Sequence, residues 1–204
     1  SFDADIIICD EAHKIKENRT SQSKAMHRLG DKARYKLLLT GTLITNKEID
    51  VFTIGELLVD MISNDYDDSF DCSQYTKHFG GSPANIAMNI KRLGGNSALS
   101  SAVGNDGLGD FLINHLKNNN IDTRYISKVD NSTSMVLVSK SKTTPVPIFY
   151  RGADYNLQYD DNIEYALKNC KIVHFSCWPI SQKNSRQTIE KVIDKAKENN
   201  ILIG

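Results

Sequence analysis

The chain has 204 residues, enough for one domain or one and a fraction, and its 25 Lys and Arg offset its 25 Asp and Glu, so capture of nucleic acid by net charge is not expected. A content of 40% hydrophobic and 25% charged residues is that of an ordinary globular protein. No apolar run approaches the ~20 residues that span a bilayer, no basic region precedes the first apolar run as in a signal peptide, and four scattered cysteines without a C-x-x-C pair fit a reduced, cytoplasmic setting.

In chain order, ADIIICDEAH (residues 4–13) reads as a buried parallel strand that ends in two carboxylates, Asp10 and Glu11. Acids at the carboxyl end of such a strand lie where open α/β sheets place ligands, and they can hold Mg²⁺ or orient a water. A helix is expected from Ser21 to Leu29, followed by a second strand in YKLLLTGT (35–42). IDVFTIGELLVDMI (49–62) reads as one strand broken at Gly55, with Glu56 and Asp60 flanking a short apolar run, and NDYDDSFD as a polar loop.

KHFGGSPANIAMNIKRLGG then pairs Gly80 and Gly81 with a helix starting near Ser82 and Pro83 and ending at Gly94–Gly95, with Ile86, Ile90 and Leu93 at helical spacing. Asn85 falls in its first turn, beside amide hydrogens a polar ligand can use. SALSSAV is a short strand, GNDGLGDFLINHLKNNNI a glycine turn and helix, and TRYI a short strand. SMVLVSK and PVPIFYR form an antiparallel pair. A helix from DDNIEYALKN, a strand in KIVHFSCW, a helix in SRQTIEKVIDKAKENN and a final strand in ILIG complete an α/β rhythm with a small β appendage.

Two resemblances attach to these elements. DEAHKIK (10–16) and LLLTGT (37–42) resemble the DEAH-box and Swi/Snf-type helicase ATPases, in which Asp10 and Glu11 would be the Walker B pair. No phosphate-cradling G-x-x-x-x-G-K-[ST] loop accompanies them, so ATP hydrolysis by these residues is not expected. DVFTIGELLVD (50–60), FGGSPANIAMNIKRLG (79–94), SAVGNDGLGDFL (101–112) and IFYRGAD (148–154) together resemble the amino-terminal half of the ribokinase-like (PfkB) carbohydrate kinases, closest to fructokinases, 2-keto-3-deoxygluconate kinases and 5-dehydro-2-deoxygluconokinases.

The second resemblance implies ATP- and Mg²⁺-dependent phosphorylation of a sugar or sugar-acid hydroxyl under a β lid, and a homodimer joined through that lid. It implies that Asp60 bonds sugar hydroxyls, that Gly80 and Gly81 let the backbone close on the sugar, that Asn85 bonds a hydroxyl, and that Arg151 faces a keto or carboxylate group. The residue types suit these roles, since a carboxylate accepts, an Asn donates and accepts, and a guanidinium fork fits an acid. The bland alternatives are a solvated acid at Asp60, a helix-start Asn85 and a lid-surface charge at Arg151. Tyr75, Phe79, Phe149 and Tyr150 suit either a sugar-stacking role or a hydrophobic lid seam, and His115 a packed position.

The family's catalytic Asp sits in a GAGD-type motif, and no such motif follows residue 154, so Asp110 and Asp154 are not assigned as bases. The expectation is therefore a fragment: residues 1–48 helicase-like, residues 49–204 the sugar-binding half of a kinase whose catalytic carboxyl-terminal half is absent, and activity of the chain alone in doubt. The fold expected is α/β, a truncated ribokinase-like sheet with crossover helices and a lid, preceded by a RecA-like helicase fragment in a chimeric sequence. No metal-ligand cluster, nucleic acid or membrane partner is expected, and a non-catalytic α/β interaction module is the remaining alternative.

Overall fold

A computed structural model describes residues 47–204, together with residues 6–9, 24 and 35–38. The chain divides into two compact units, Ser1–Asn46 and Lys47–Gly204. In the first, strands β1 (Ile6–Cys9) and β2 (Tyr35–Leu38) pair in parallel, Ile6 opposite Tyr35. Asp10 and Glu11 lie outside the described residues.

The second unit carries two sheets. Strands β3 (Ile49–Ile54), β6 (Ser97–Gly104), β7 (Ile126–Val129), β10 (Cys170–Phe175) and β11 (Leu202–Ile203) form a parallel sheet in the order β11-β10-β3-β6-β7. Chain order runs outward from β3 through β6 to β7, then restarts on the other side of β3 at β10. The order therefore reverses between β3 and β10, and the crevice beyond the carboxyl ends of those two strands is where such sheets bind ligands.

The second sheet joins β4 (Leu58–Tyr66), β5 (Tyr75–Gly80), β8 (Met135–Lys140) and β9 (Pro147–Tyr150) in the order β5-β4-β8-β9. Two differences from the sequence reading stand out. The run from Ile49 to Ile62 is two strands in two different sheets, separated at Gly55, whose φ of 150° few other residues adopt. The appendage is also four strands rather than two, because β4 pairs with β8, and β5, a polar YTKHFG stretch to which the sequence assigns no strand, pairs antiparallel with β4.

Among the described residues, four helices cover the parallel sheet. Helices α1 (Ser82–Arg92) and α2 (Gly107–Asn118) pack on one face through Ala84, Ala87, Met88, Leu112 and Leu116, against Leu99 and Val103 of β6. Helices α3 (Asp161–Asn169) and α4 (Lys183–Glu198) cover the other through Ile163, Leu167, Ile189 and Val192, against Phe52, Ile54 and Val173. Each fully buried Leu or Ile contributes about 2 kcal/mol of burial free energy. The caps are local: Asp106 accepts from the N–H groups of Leu108 and Gly109 at α2, and Asp160 from that of Ile163 at α3.

In α1 the buried residues are not the Ile86, Ile90, Leu93 set that the spacing suggested. Ala84, Ala87 and Met88 face the core and Leu93 is 88% exposed, because small residues let the helix lie close to the sheet. His115 stacks on Phe79, ring centroids 4.5 Å apart, as a packed residue. Cys72, Cys170 and Cys177 are free thiols, and burial pushes that of Cys170 up to about 11. No helix among the described residues is long and apolar enough to cross a membrane.

Candidate functional site

The site is assembled where the β4-β5-β8-β9 sheet meets the switch point of the parallel sheet. Cross-strand register sets its upper wall. His78, Asp60, Val136 and Phe149 are successive partners across β5, β4, β8 and β9, so they share one face. The alternate residues Val59, Met61, Phe79 and Met135 share the opposite face, which packs against the α2 side of the core. The two faces thus divide into a packed seam and a mixed surface on which Asp60 and His78 lie beside Val136 and Phe149.

Gly80 closes on Asp60 from the adjacent strand. A Cβ at Gly80 would overlap the Asp60 carboxylate. Gly81 follows as the N-cap of α1 with φ 105°, and a Cβ there would overlap the carbonyl oxygen of Glu56. The structure therefore brings Asp60, Gly80 and Gly81 to one place. Asn85 stands exposed one turn into α1, its N–H donating to the Gly81 carbonyl at 2.9 Å. Burial raises the pKa of Asp60 above the ordinary carboxylate value of 3.8, partly offset by the nearby His78.

Arg151 is held elsewhere. Its Nε and second amino group both donate to Asp154, its other amino group donates to the Ser181 hydroxyl at 2.6 Å, and it also reaches the Trp178 carbonyl at 3.3 Å. Its guanidinium lies over the rings of Trp178 and Tyr155. Asp154, with its side chain 2% exposed, further accepts from the Ser134 hydroxyl and the Trp178 indole N–H. This network joins the start of β8, the end of β9 and the turn after β10. Phe149, on the Asp60 face, meets Trp178 edge-on at 5.1 Å, so the aromatic pair forms the far wall.

The sequence assigns no role to Ser176 or Trp178, notes Glu56 only as an acid near the break at Gly55, and sets Asp154 aside as a base. Nothing in the linear pattern shows that Glu56 and Ser176, 120 residues apart, end on adjacent strands. A cavity of about 590 Å³ opens on the α2 side of the lid, lined by Lys77, Asp106, Leu108, Thr133, Met135 and Tyr150; Asp60, Gly80, Gly81, Asn85 and Arg151 do not line it.

A half-buried acid, a double-glycine helix start and an aromatic pair thus meet at the switch point of an α/β sheet under a four-stranded lid. A sequence profile described as pfkB family carbohydrate kinase matches residues 48–201. The chain belongs to that family. It is 57% identical over 158 residues to the ATP-dependent 6-phosphofructokinase of Thermoanaerobacterium thermosaccharolyticum, covering 78% of this chain and 49% of that protein. It is 31% identical over 163 residues to the 5-dehydro-2-deoxygluconokinase of Clostridium tetani, covering 77% and 48%. The structure of Halothermothrix orenii fructokinase superposes with a TM-score of 0.71 at 43% identity, over 76% of this chain and 56% of that one.

The matched region corrects the expectation that the catalytic part is absent. The family match extends over residues 48–201, nearly all of the second unit, so most of this chain is the family's domain, and one missing GAGD-type string is no ground for calling the catalytic part absent. The chain spans about half the length of the curated relatives it matches. Use of ATP with Mg²⁺ is typical of the family. Among the described residues no three His, Cys, Asp or Glu side chains are grouped to hold a metal ion.

Proposed function

We propose that the protein transfers phosphate from ATP to a hydroxyl of a keto sugar or keto-deoxy sugar acid. The observation that carries this reading is the Asp60–Gly80–Gly81 corner: a desolvated carboxylate held against a helix-start backbone that has no side chains in the way. Asp60 accepts bonds from sugar hydroxyls, and its burial strengthens them by excluding water. Gly80 and Gly81 let the main chain approach the ring, Asn85 adds a donor and an acceptor, and Phe149 and Trp178 offer faces for the C–H side of a sugar. Asp154 satisfies Arg151, so the guanidinium supports the wall, and contact with a substrate acid group needs that pair to open.

Fructose 6-phosphate and fructose lead the candidates because of the relatives at 57% and 43% identity, with a keto-deoxy sugar acid third. Pairing of two copies through the exposed edge strand β9, where Ile148, Phe149 and Tyr150 are open to solvent, belongs to the same reading. The test is a coupled ADP-release assay with each sugar plus titration calorimetry. Sugar-dependent ADP release, or saturable binding of one of the three, is expected. Neither with any of them overturns the proposal.

The parallel pairing of β1 with β2 supports a second reading for residues 1–46, a piece of a DEAH-type ATPase with Asp10 and Glu11 as its acid pair. ATP hydrolysis stimulated by nucleic acid and abolished in Glu11→Gln is its expected signature; hydrolysis indifferent to both rejects it.

A further inference from the structure

Glu56 lies at the switch point itself. β3 ends at Ile54 and β10 at Phe175, and these two residues are register partners. Immediately beyond them, Glu56 and Ser176 meet: the Ser176 hydroxyl donates to Glu56 Oε2 at 2.6 Å. The other carboxylate oxygen, Oε1, accepts the Ser82 N–H at the first residue of α1, at 3.0 Å. The residue is 5% exposed. One side chain thus ties together the end of β3, the start of α1 and the turn that leads to Trp178.

The backbone around it leaves little slack. A Cβ on Gly55 would stand 2.8 Å from Pro83 Cγ, and the Gly81 main chain rests against the Glu56 carbonyl. Helix α1 has no side-chain cap from its own N-cap residue and no acid in its first turn. Asp106 and Asp160 supply that carboxylate locally to α2 and α3. In α1 it comes from Glu56, 26 residues upstream, in the short link from β3 to the strand that carries Asp60. A local cap would satisfy the helix equally well. Only a cap borrowed from β3 also fixes the distance between the α1 start and the strand bearing Asp60.

We propose that Glu56 is a positioning residue for sugar recognition. It holds the Gly80–Gly81 backbone and Asn85 at a fixed spacing from Asp60 and from the Phe149–Trp178 wall. The proposal rests on the sugar-kinase reading above. Glutamine keeps the reach of glutamate, accepting from Ser82 and donating to Ser176, whereas aspartate keeps the charge but is too short to serve both partners.

The experiment measures binding of fructose 6-phosphate, and separately of fructose, by titration calorimetry for the unsubstituted chain and for Glu56→Ala, Glu56→Gln, Glu56→Asp and Val173→Ala. Val173 is fully buried in the core on the α3–α4 side, so its truncation is a matched destabilised control. Affinity is expected to fall about 10- to 100-fold in Glu56→Ala and Glu56→Asp, the scale on which a displacement of about 1 Å acts, and to stay close to that of the unsubstituted chain in Glu56→Gln and Val173→Ala. Unchanged affinity in Glu56→Asp, or an equal loss in Val173→Ala, overturns the proposal. Should Glu56→Ala fail to fold, the contrast between the Gln and Asp variants decides it. A sugar-independent readout accompanies these: exchange of the Ser82 amide hydrogen is expected to quicken about 10-fold in Glu56→Asp and not in Val173→Ala. If the unsubstituted chain binds neither sugar, the sugar reading has failed, and the clamp itself then stands or falls on the Ser82 exchange.

Discussion

Asp60 and Arg151 carry charges of opposite sign and are used in opposite ways. Arg151 is engaged by Asp154, Ser181 and the Trp178 carbonyl, and such a satisfied pair holds a wall in place. Burial disfavours the ionised form of Asp60 in the folded chain, and the nearby His78 offsets this only in part. A carboxyl whose folded pKa is raised binds its proton more tightly folded than unfolded. Its contribution favours folding below the unfolded value of 3.8 and is lost as the pH rises through the folded value. Asp60→Asn should therefore melt higher than the unsubstituted chain at neutral pH, with the gain vanishing below 3.8. The same change should weaken sugar binding by about 10- to 100-fold, the loss expected when hydrogen bonds to a charged acceptor go. Calorimetric melting on both sides of 3.8, together with a sugar titration, checks the pair; a variant that melts lower at neutral pH contradicts the desolvation argument.

At the scale of elements the joint between β5 and α1 concentrates the constraint. Gly81 has φ 105°, a region that side chains rarely enter, and its missing Cβ is where the Glu56 carbonyl sits. Gly81→Ala meets both obstacles, which together cost at least ~2 kcal/mol of stability, and it should push the start of α1 away from Asp60. Denaturant unfolding checks the first effect, and loss of sugar affinity larger than in Val173→Ala checks the second. This joint was half legible from the chain. Two glycines, then Ser-Pro, mark a helix start in any context. That β5 precedes it as a strand was not legible, because Thr76, Lys77 and His78 are all exposed and show no alternation of apolar residues. The face of α1 was misjudged for a related reason: packing followed the small residues Ala84 and Ala87 rather than the larger Ile90 and Leu93. Gly55 marked a break in the run from Ile49 to Ile62, but a break says nothing of which sheet each side joins. Family motifs single out the acid at residue 60, while the acid at residue 56 acquires partners only when Ser82 and Ser176 fold back onto it.

Over the whole molecule, the division at residue 46 separates two self-contained sets of strands. Every strand of the five-stranded sheet and of the lid sheet lies in Lys47–Gly204, and both core clusters are drawn from that unit. The Asp60 corner, the Glu56 clamp and the Trp178 wall all belong to it as well. The pairing β1–β2 contributes no strand to either sheet. A chain beginning at Lys47 should therefore keep the secondary structure of the second unit, the edge-on Phe149–Trp178 contact and the full sugar affinity. Trp178 is the sole tryptophan, so its fluorescence reports this wall without interference. Circular dichroism, the emission maximum of Trp178 and titration with fructose 6-phosphate, compared between the full and shortened chains, make the check. Matching values are expected, since the described hydrogen bonds at the site join residues of this unit. A red-shifted emission or a weakened titration would show that the first 46 residues hold up the second unit through contacts of their own.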